Sequence, residues 1–154
     1  VSGIGLAESC CGIQYTMPDV YDRIDFNKKH TKWNFKNQPK PDLIFITLGQ
    51  NDGLKNESLY KEKYLDFIAM LRVHYKSSTI ICCTSPMASV KLKRQMKKSI
   101  KKVVNDCQKN GDNKIFFFNY VGTSNAGYNK HPTIHEHQLM MKELLAFLKG
   151  LKLC

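Results

Sequence analysis

Three short apolar runs separated by helix-length segments constrain this chain more than any other feature. The runs are residues 43–48 (LIFITL), 79–84 (TIICCT) and 114–119 (KIFFFN). None alternates apolar with polar residues, the pattern expected of strands buried on both faces in a parallel sheet. Segments of helical period follow each run. The first, about 57–75, places Tyr60, Tyr64, Phe67, Ile68 and Leu71 on one face. The second covers about 89–109. The third covers about 133–149, with Met140, Leu144, Leu145 and Leu148 predicted to point inward and Thr133 and Glu136 spaced as a capping box. The order strand–helix, three times over, predicts right-handed βαβ crossovers and an open α/β sheet.

Residues 1–42 are less regular: Gly3, Gly5 and Gly12 mark turns, and Pro39 and Pro41 make a stiff approach to the first strand. Three strands are few beside the roughly four to six of an ordinary sheet. The expectation is therefore that one or two strands precede Val1 in the parent protein, and that this chain alone is inactive and poorly folded.

A length of 154 residues fits one domain. The formal charge is +11, but of the 24 basic residues only Arg23, Arg72 and Arg94 are arginine, the side chain suited to paired phosphate or guanine contacts. Lys91, Lys93, Arg94, Lys97, Lys98, Lys101 and Lys102 interleave with Leu92, Met96, Ile100, Val103, Val104 and Cys107, which makes one amphipathic helix with a basic outer face. No aromatic side chain interrupts that face, so a stacking platform for nucleic acid is not supported and no nucleic-acid partner is expected. No apolar run is long enough to span a bilayer. Cys10–Cys11 and Cys82–Cys83 are adjacent pairs, and with Cys107 and Cys154 they read as mostly free thiols, since neighbouring cysteines rarely bridge.

In open α/β sheets ligands bind beyond the carboxyl ends of the strands. The first strand runs into Gly49-Gln50-Asn51-Asp52-Gly53, and the third into a long loop ending at His131-Pro132 before the last helix. Both arrive at the same rim. Asn51 there offers an amide N–H to a developing oxyanion, and His131 offers an imidazole as general base. Taken singly, Asn51 also fits a turn-stabilising role and His131 a surface or capping role. His131, His135 and His137 lie close in sequence, and the first and second could share a helix face, but the spacing is not that of a zinc site and no metal or organic cofactor is expected. Trp33 could pack against a sugar ring or fill a satellite core position.

The blocks VSGIGL, LGQND and HPTIHEHQLM, in this order, with MPDVYDR between the first two, resemble the SGNH (GDSL-type) hydrolases. The likeness is to the carbohydrate esterase family 2, acetylxylan esterase-like branch, and it runs from Ser2 to about Leu148. It implies a three-layer αβα, flavodoxin-like fold, of which residues 1–154 would be the C-terminal portion of a single SGNH hydrolase domain. It implies a serine esterase acting on acetylated carbohydrate outside the cytoplasm, whether secreted, periplasmic or on the cell surface. By the same resemblance Gly3 N–H and the Asn51 amide form the oxyanion hole, and His131 is the base. The family's nucleophile is the serine of a GDS motif. No GDS occurs among the nine serines here, so the nucleophile is expected upstream, in an N-terminal segment of the same protein. The branch often has Asp two residues before the histidine; here Asn129 stands there, so either a Ser–His dyad works with a backbone carbonyl orienting the ring, or the activity is reduced. Asp52 is expected to be structural. The alternative is a non-catalytic glycan- or polyanion-binding module on the same fold.

Overall fold

The computed structural model describes residues 3–153; Ser2 and Cys154 lie outside them. In chain order the elements are α1 (Met17–Val20), β1 (Leu43–Ile46), α2 (Glu57–His74), β2 (Thr79–Cys83), α3 (Val90–Lys109), β3 (Ile115–Phe118) and α4 (Ile134–Gly150), with 3-10 turns at Phe35–Asn37 and Tyr128–Lys130. The sheet order is β1-β2-β3, all parallel. Each strand is shorter than the apolar run that foretold it, because the residues after Ile46, Cys83 and Phe118 leave the ladder to build the loops of the carboxyl rim.

Helix starts follow from side-chain caps. Asn56 accepts from Leu59 N at 3.0 Å to open α2, and Ser89 accepts from Leu92 N at 3.3 Å to open α3. The Thr133–Glu136 capping box opens α4, as its spacing predicts.

Strand alternation sorts the core into two halves. Ile46, Ile80, Cys82 and Ile115 face α2 and α3, against Tyr60, Tyr64, Phe67, Ile68, Leu71, Met96, Ile100, Val103 and Val104. Ile81, Cys83 and Phe118 face the other way, against α4 through Leu148 and its half-buried neighbours Met140, Leu144 and Phe147. The result is the expected αβα sandwich. Burial in this sheet pushes the Cys83 thiol up to about 12 and raises that of Cys82 as well. At the lower rim Arg72 grips Asp112 through Nε and Nη2, at 2.7 and 3.0 Å, while its Nη1 donates to the carbonyls of Tyr75 and Ser78. One guanidinium thereby joins the end of α2 to the starts of β2 and β3.

Three expectations need correction. First, β1 is not buried on both faces: Phe45 is 43% exposed. It pairs with Ile81 and so faces the α4 layer, but α4 packs over β2 and β3 and leaves that part of β1 open. Second, Leu145 is not inward; it is 40% exposed, with Ile134, Leu139 and Met141 exposed on the same helix. Third, Lys93 does not join the basic outer face. It is half-buried and donates through Nζ to the carbonyls of Gly122 and Pro86, fastening α3 to two loops, while Lys91, Arg94, Lys97, Lys98, Lys101 and Lys102 are exposed as expected. No helix of the described residues is long and apolar enough to cross a membrane.

Candidate active site

The loop after β1 and the loop before α4 meet at the carboxyl rim, together with the first turns of the chain. They enclose an open hollow of about 740 Å³ whose walls include Gly3, Asn51 and His131. The three groups placed there by sequence thus share one cavity.

Asp52 organises the first wall. It is buried, and its carboxylate accepts from the backbone N–H groups of Leu6 (3.0 Å), Ala7 (2.6 Å) and Glu8 (3.1 Å). Successive amides converging on one carboxylate make an anion nest and hold the 3–12 loop against the 49–53 turn. Asp52 is therefore structural, as expected. The approach is tight: a Cβ on Gly5 would lie 1.7 Å from the Glu8 carbonyl oxygen and 2.9 Å from Asp52 Oδ2, so only glycine fits.

Asn51 is oriented by the same loop. Its Nδ2 donates one N–H to the Ile4 carbonyl at 2.8 Å, which fixes the amide plane and leaves the second N–H for a ligand. Gly49, with φ +125°, lets the chain turn there, and a Cβ would come 2.5 Å from Tyr60 Oη. That hydroxyl donates to the Leu48 carbonyl at 2.9 Å. Burial and the nearby Asp52 charge raise the Tyr60 pKa well above its ordinary value, so the tyrosine remains a neutral donor.

His131 is exposed and sits between the Tyr128–Lys130 turn and α4. Its Nδ1 lies 3.1 Å from the Asn129 carbonyl oxygen. A carbonyl only accepts, so this bond selects the tautomer with the proton on Nδ1 and leaves the Nε2 lone pair free to take a proton. Asn129 (φ 50°) and Lys130 (φ 60°) both adopt left-handed backbone to bring that carbonyl round. His131 precedes α4 whereas His135 and His137 lie on it, so the first two do not share a helix face. Among the described residues no group of three or more His, Cys, Asp or Glu side chains converges on a point.

Trp33 lies elsewhere. It lines a separate hollow of about 440 Å³ with Phe35, Lys40 and His74. His74 ends α2 and Lys40 precedes β1, so this hollow is at the amino rim of the sheet, and Trp33 contributes nothing to the walls around His131.

Sequence reading missed several wall residues: Cys10, Cys11, Gln50 and Ser85. The adjacent Cys10 and Cys11 are joined as a disulfide, against the expectation of free thiols, because the left-handed backbone of Cys11 (φ 61°) lets the two side chains meet. Cys82, Cys83 and Cys107 are free, as expected. Among the described residues two serines line the hollow, and both are engaged. Ser85 Oγ donates to Gln50 Oε1 and accepts from Met87 N, and Ser89 caps α3.

The model of the family described as GDSL-like Lipase/Acylhydrolase matches residues 16–144. The curated protein "Cellulase/esterase CelE" of Acetivibrio thermocellus is 30% identical over 157 residues, which is 97% of this chain and 19% of that protein. A solved family two carbohydrate esterase from Clostridium thermocellum, in complex with cellohexaose, superposes with a TM-score of 0.86 at 29% identity, covering 96% of this chain and 47% of that one. A family two carbohydrate esterase from Cellvibrio japonicus shares the fold, with a TM-score of 0.85 at 22% identity over 96% of this chain and 45% of that one. The chain thus spans about half the length of these solved relatives and a fifth of the curated one.

Proposed function

The chain belongs to the GDSL-like lipase/acylhydrolase family, on its carbohydrate esterase family 2 branch, and from that premise we propose that it carries the oxyanion hole and general base of a serine carbohydrate O-acetylesterase. A serine hydroxyl attacks the acetyl carbonyl while His131 Nε2 takes its proton. Gly3 N–H and the free Asn51 N–H receive the oxyanion. The imidazolium then returns the proton to the departing sugar hydroxyl, and water activated by the same nitrogen releases acetate from the acyl-serine. The Asn129 carbonyl orients the ring in place of a carboxylate, which makes the pair a Ser–His dyad. The observation that carries the reading is the convergence of Gly3, Asn51 and His131 on one hollow, with Nδ1 already committed.

The reading assigns the nucleophile to a residue of the same polypeptide outside these 154. Both described serines on the hollow are spent on structural bonds. β1 is an edge strand among the described residues, and its Phe45 is half bare, so a further strand and helix of that polypeptide would complete the sheet there. By itself the chain is then inactive as an esterase. A polysaccharide substrate puts the enzyme's work outside the cytoplasm, which cell fractionation checks.

The test is acetate release from acetylated xylo- and cello-oligosaccharides by the complete polypeptide. Asn51→Ala is expected to lower kcat by about 10²–10³-fold, the usual cost of one oxyanion donor, with KM little changed. Oligosaccharide binding with no acetate release would instead favour a binding module.

A further inference from the structure

We propose that Cys10 and Cys11 are positioning residues for the oxyanion hole, and that closing or opening the bridge between them sets how well the hole works. This rests on the esterase reading above and adds a regulator to the same site. Both cysteines line the hollow. Cys10 touches each of the two oxyanion donors. Its N–H donates to the Gly3 carbonyl at 2.9 Å, and its sulfur would lie 3.5 Å from a Cβ on Gly3, so it packs directly over that residue. The same sulfur is 3.6 Å from Asn51 Oδ1. Cys11 is exposed, so a small redox reagent can reach the pair.

The two states differ chemically at Asn51. With the bridge closed, the Cys10 sulfur has no proton and the disulfide ring removes the side-chain torsions of both residues. The segment that holds Gly3 is then pinned. With the bridge open, the Cys10 thiol becomes a donor to Asn51 Oδ1 and both side chains regain their rotamers. Fixed donors are what an oxyanion hole requires, so the closed state is the more active one.

Closing proceeds by exchange with a low-molecular-weight disulfide. One cysteine thiolate attacks it, releasing one thiol and leaving a mixed disulfide. The neighbouring thiolate then displaces the second thiol and forms the bridge. Two cysteine thiols and one external disulfide thus yield one protein disulfide and two external thiols. A dithiol reductant reverses the sequence.

The experiment takes the complete polypeptide through oxidising and reducing dithiol buffers and makes three measurements. Peptide mass spectrometry reads whether the segment holding Cys10 and Cys11 has lost two hydrogens. Amide hydrogen exchange reads the 3–12 loop. Aryl acetate turnover gives kcat and KM. In the oxidising buffer the bridge forms, exchange slows across the loop, and kcat rises roughly tenfold with KM unchanged, a modest gain for better alignment. The Cys11→Ser variant holds the lower kcat in both buffers. Failure to find the bridged peptide after oxidation overturns the proposal, as does a bridged peptide with unchanged exchange and unchanged kcat. If neither form turns over an ester, it is the esterase reading that fails, and the exchange difference alone then decides the positioning claim.

Discussion

Replacing His131 with Ala in the complete enzyme is expected to cut kcat on acetyl esters by on the order of 10⁴-fold or more, the scale seen when the base of a serine hydrolase is removed. The structural reason is that Nδ1 is committed to the Asn129 carbonyl and only Nε2 remains to move the proton. Oxyanion stabilisation survives in the variant, so residual turnover above the buffer rate should remain. Stability should barely change. The side chain is exposed, and its one hydrogen bond goes to a neighbour two residues back. Steady-state kinetics beside a thermal melt separate the two effects, and added imidazole should restore part of the rate. A variant with full turnover would remove His131 from the chemistry.

Asp52→Ala should produce the largest loss of stability. The carboxylate answers three backbone N–H groups, and removing it strands all three in a site where Asp52 itself is only 4% exposed. Unsatisfied buried donors cost about 1–3 kcal/mol each and are not strictly additive, so a total on the order of 4 kcal/mol is expected. For a protein of this size that lowers Tm by roughly 10 °C. Asp52→Asn keeps one acceptor oxygen and should lose about half as much. Activity should fall with stability in the Ala variant, because the 3–12 loop that presents Gly3 and receives the Asn51 amide is anchored there. Calorimetry with hydrogen exchange at Leu6, Ala7 and Glu8 checks both halves. Unchanged protection at those amides would show that the nest is not what holds the loop.

The layer order and all the long helices were legible because they rest on periodicity, which a chain writes residue by residue. Tyr60, Tyr64, Phe67, Ile68 and Leu71 recur at helical spacing and are all buried on α2. The Thr133–Glu136 pair announced the start of α4. Burial of β1 was misread, since an apolar run states only that a strand wants cover, and the cover itself depends on where α4 lands. Leu145 failed for the same reason.

At the site, Asn51 and His131 were readable from the rule that parallel strands deliver their loops to one rim. The Cys10–Cys11 bridge was not, because it depends on a left-handed turn that no cysteine spacing encodes. Trp33 could not be placed from sequence, because a lone aromatic in an irregular segment carries no information about which rim of the sheet its loop visits.

Cys82 and Cys83 sit in the central strand with their sulfurs on opposite faces, both buried and both with raised pKa. At neutral pH neither holds an appreciable thiolate fraction, so alkylating reagents pass them by while the sheet is closed. Each becomes reactive only when its own side of the sandwich lifts away. The pair is therefore a built-in clock with two hands: modification of Cys82 times the parting of α2 and α3 from the sheet, modification of Cys83 times the departure of α4, and the lag between them tells which half comes undone first.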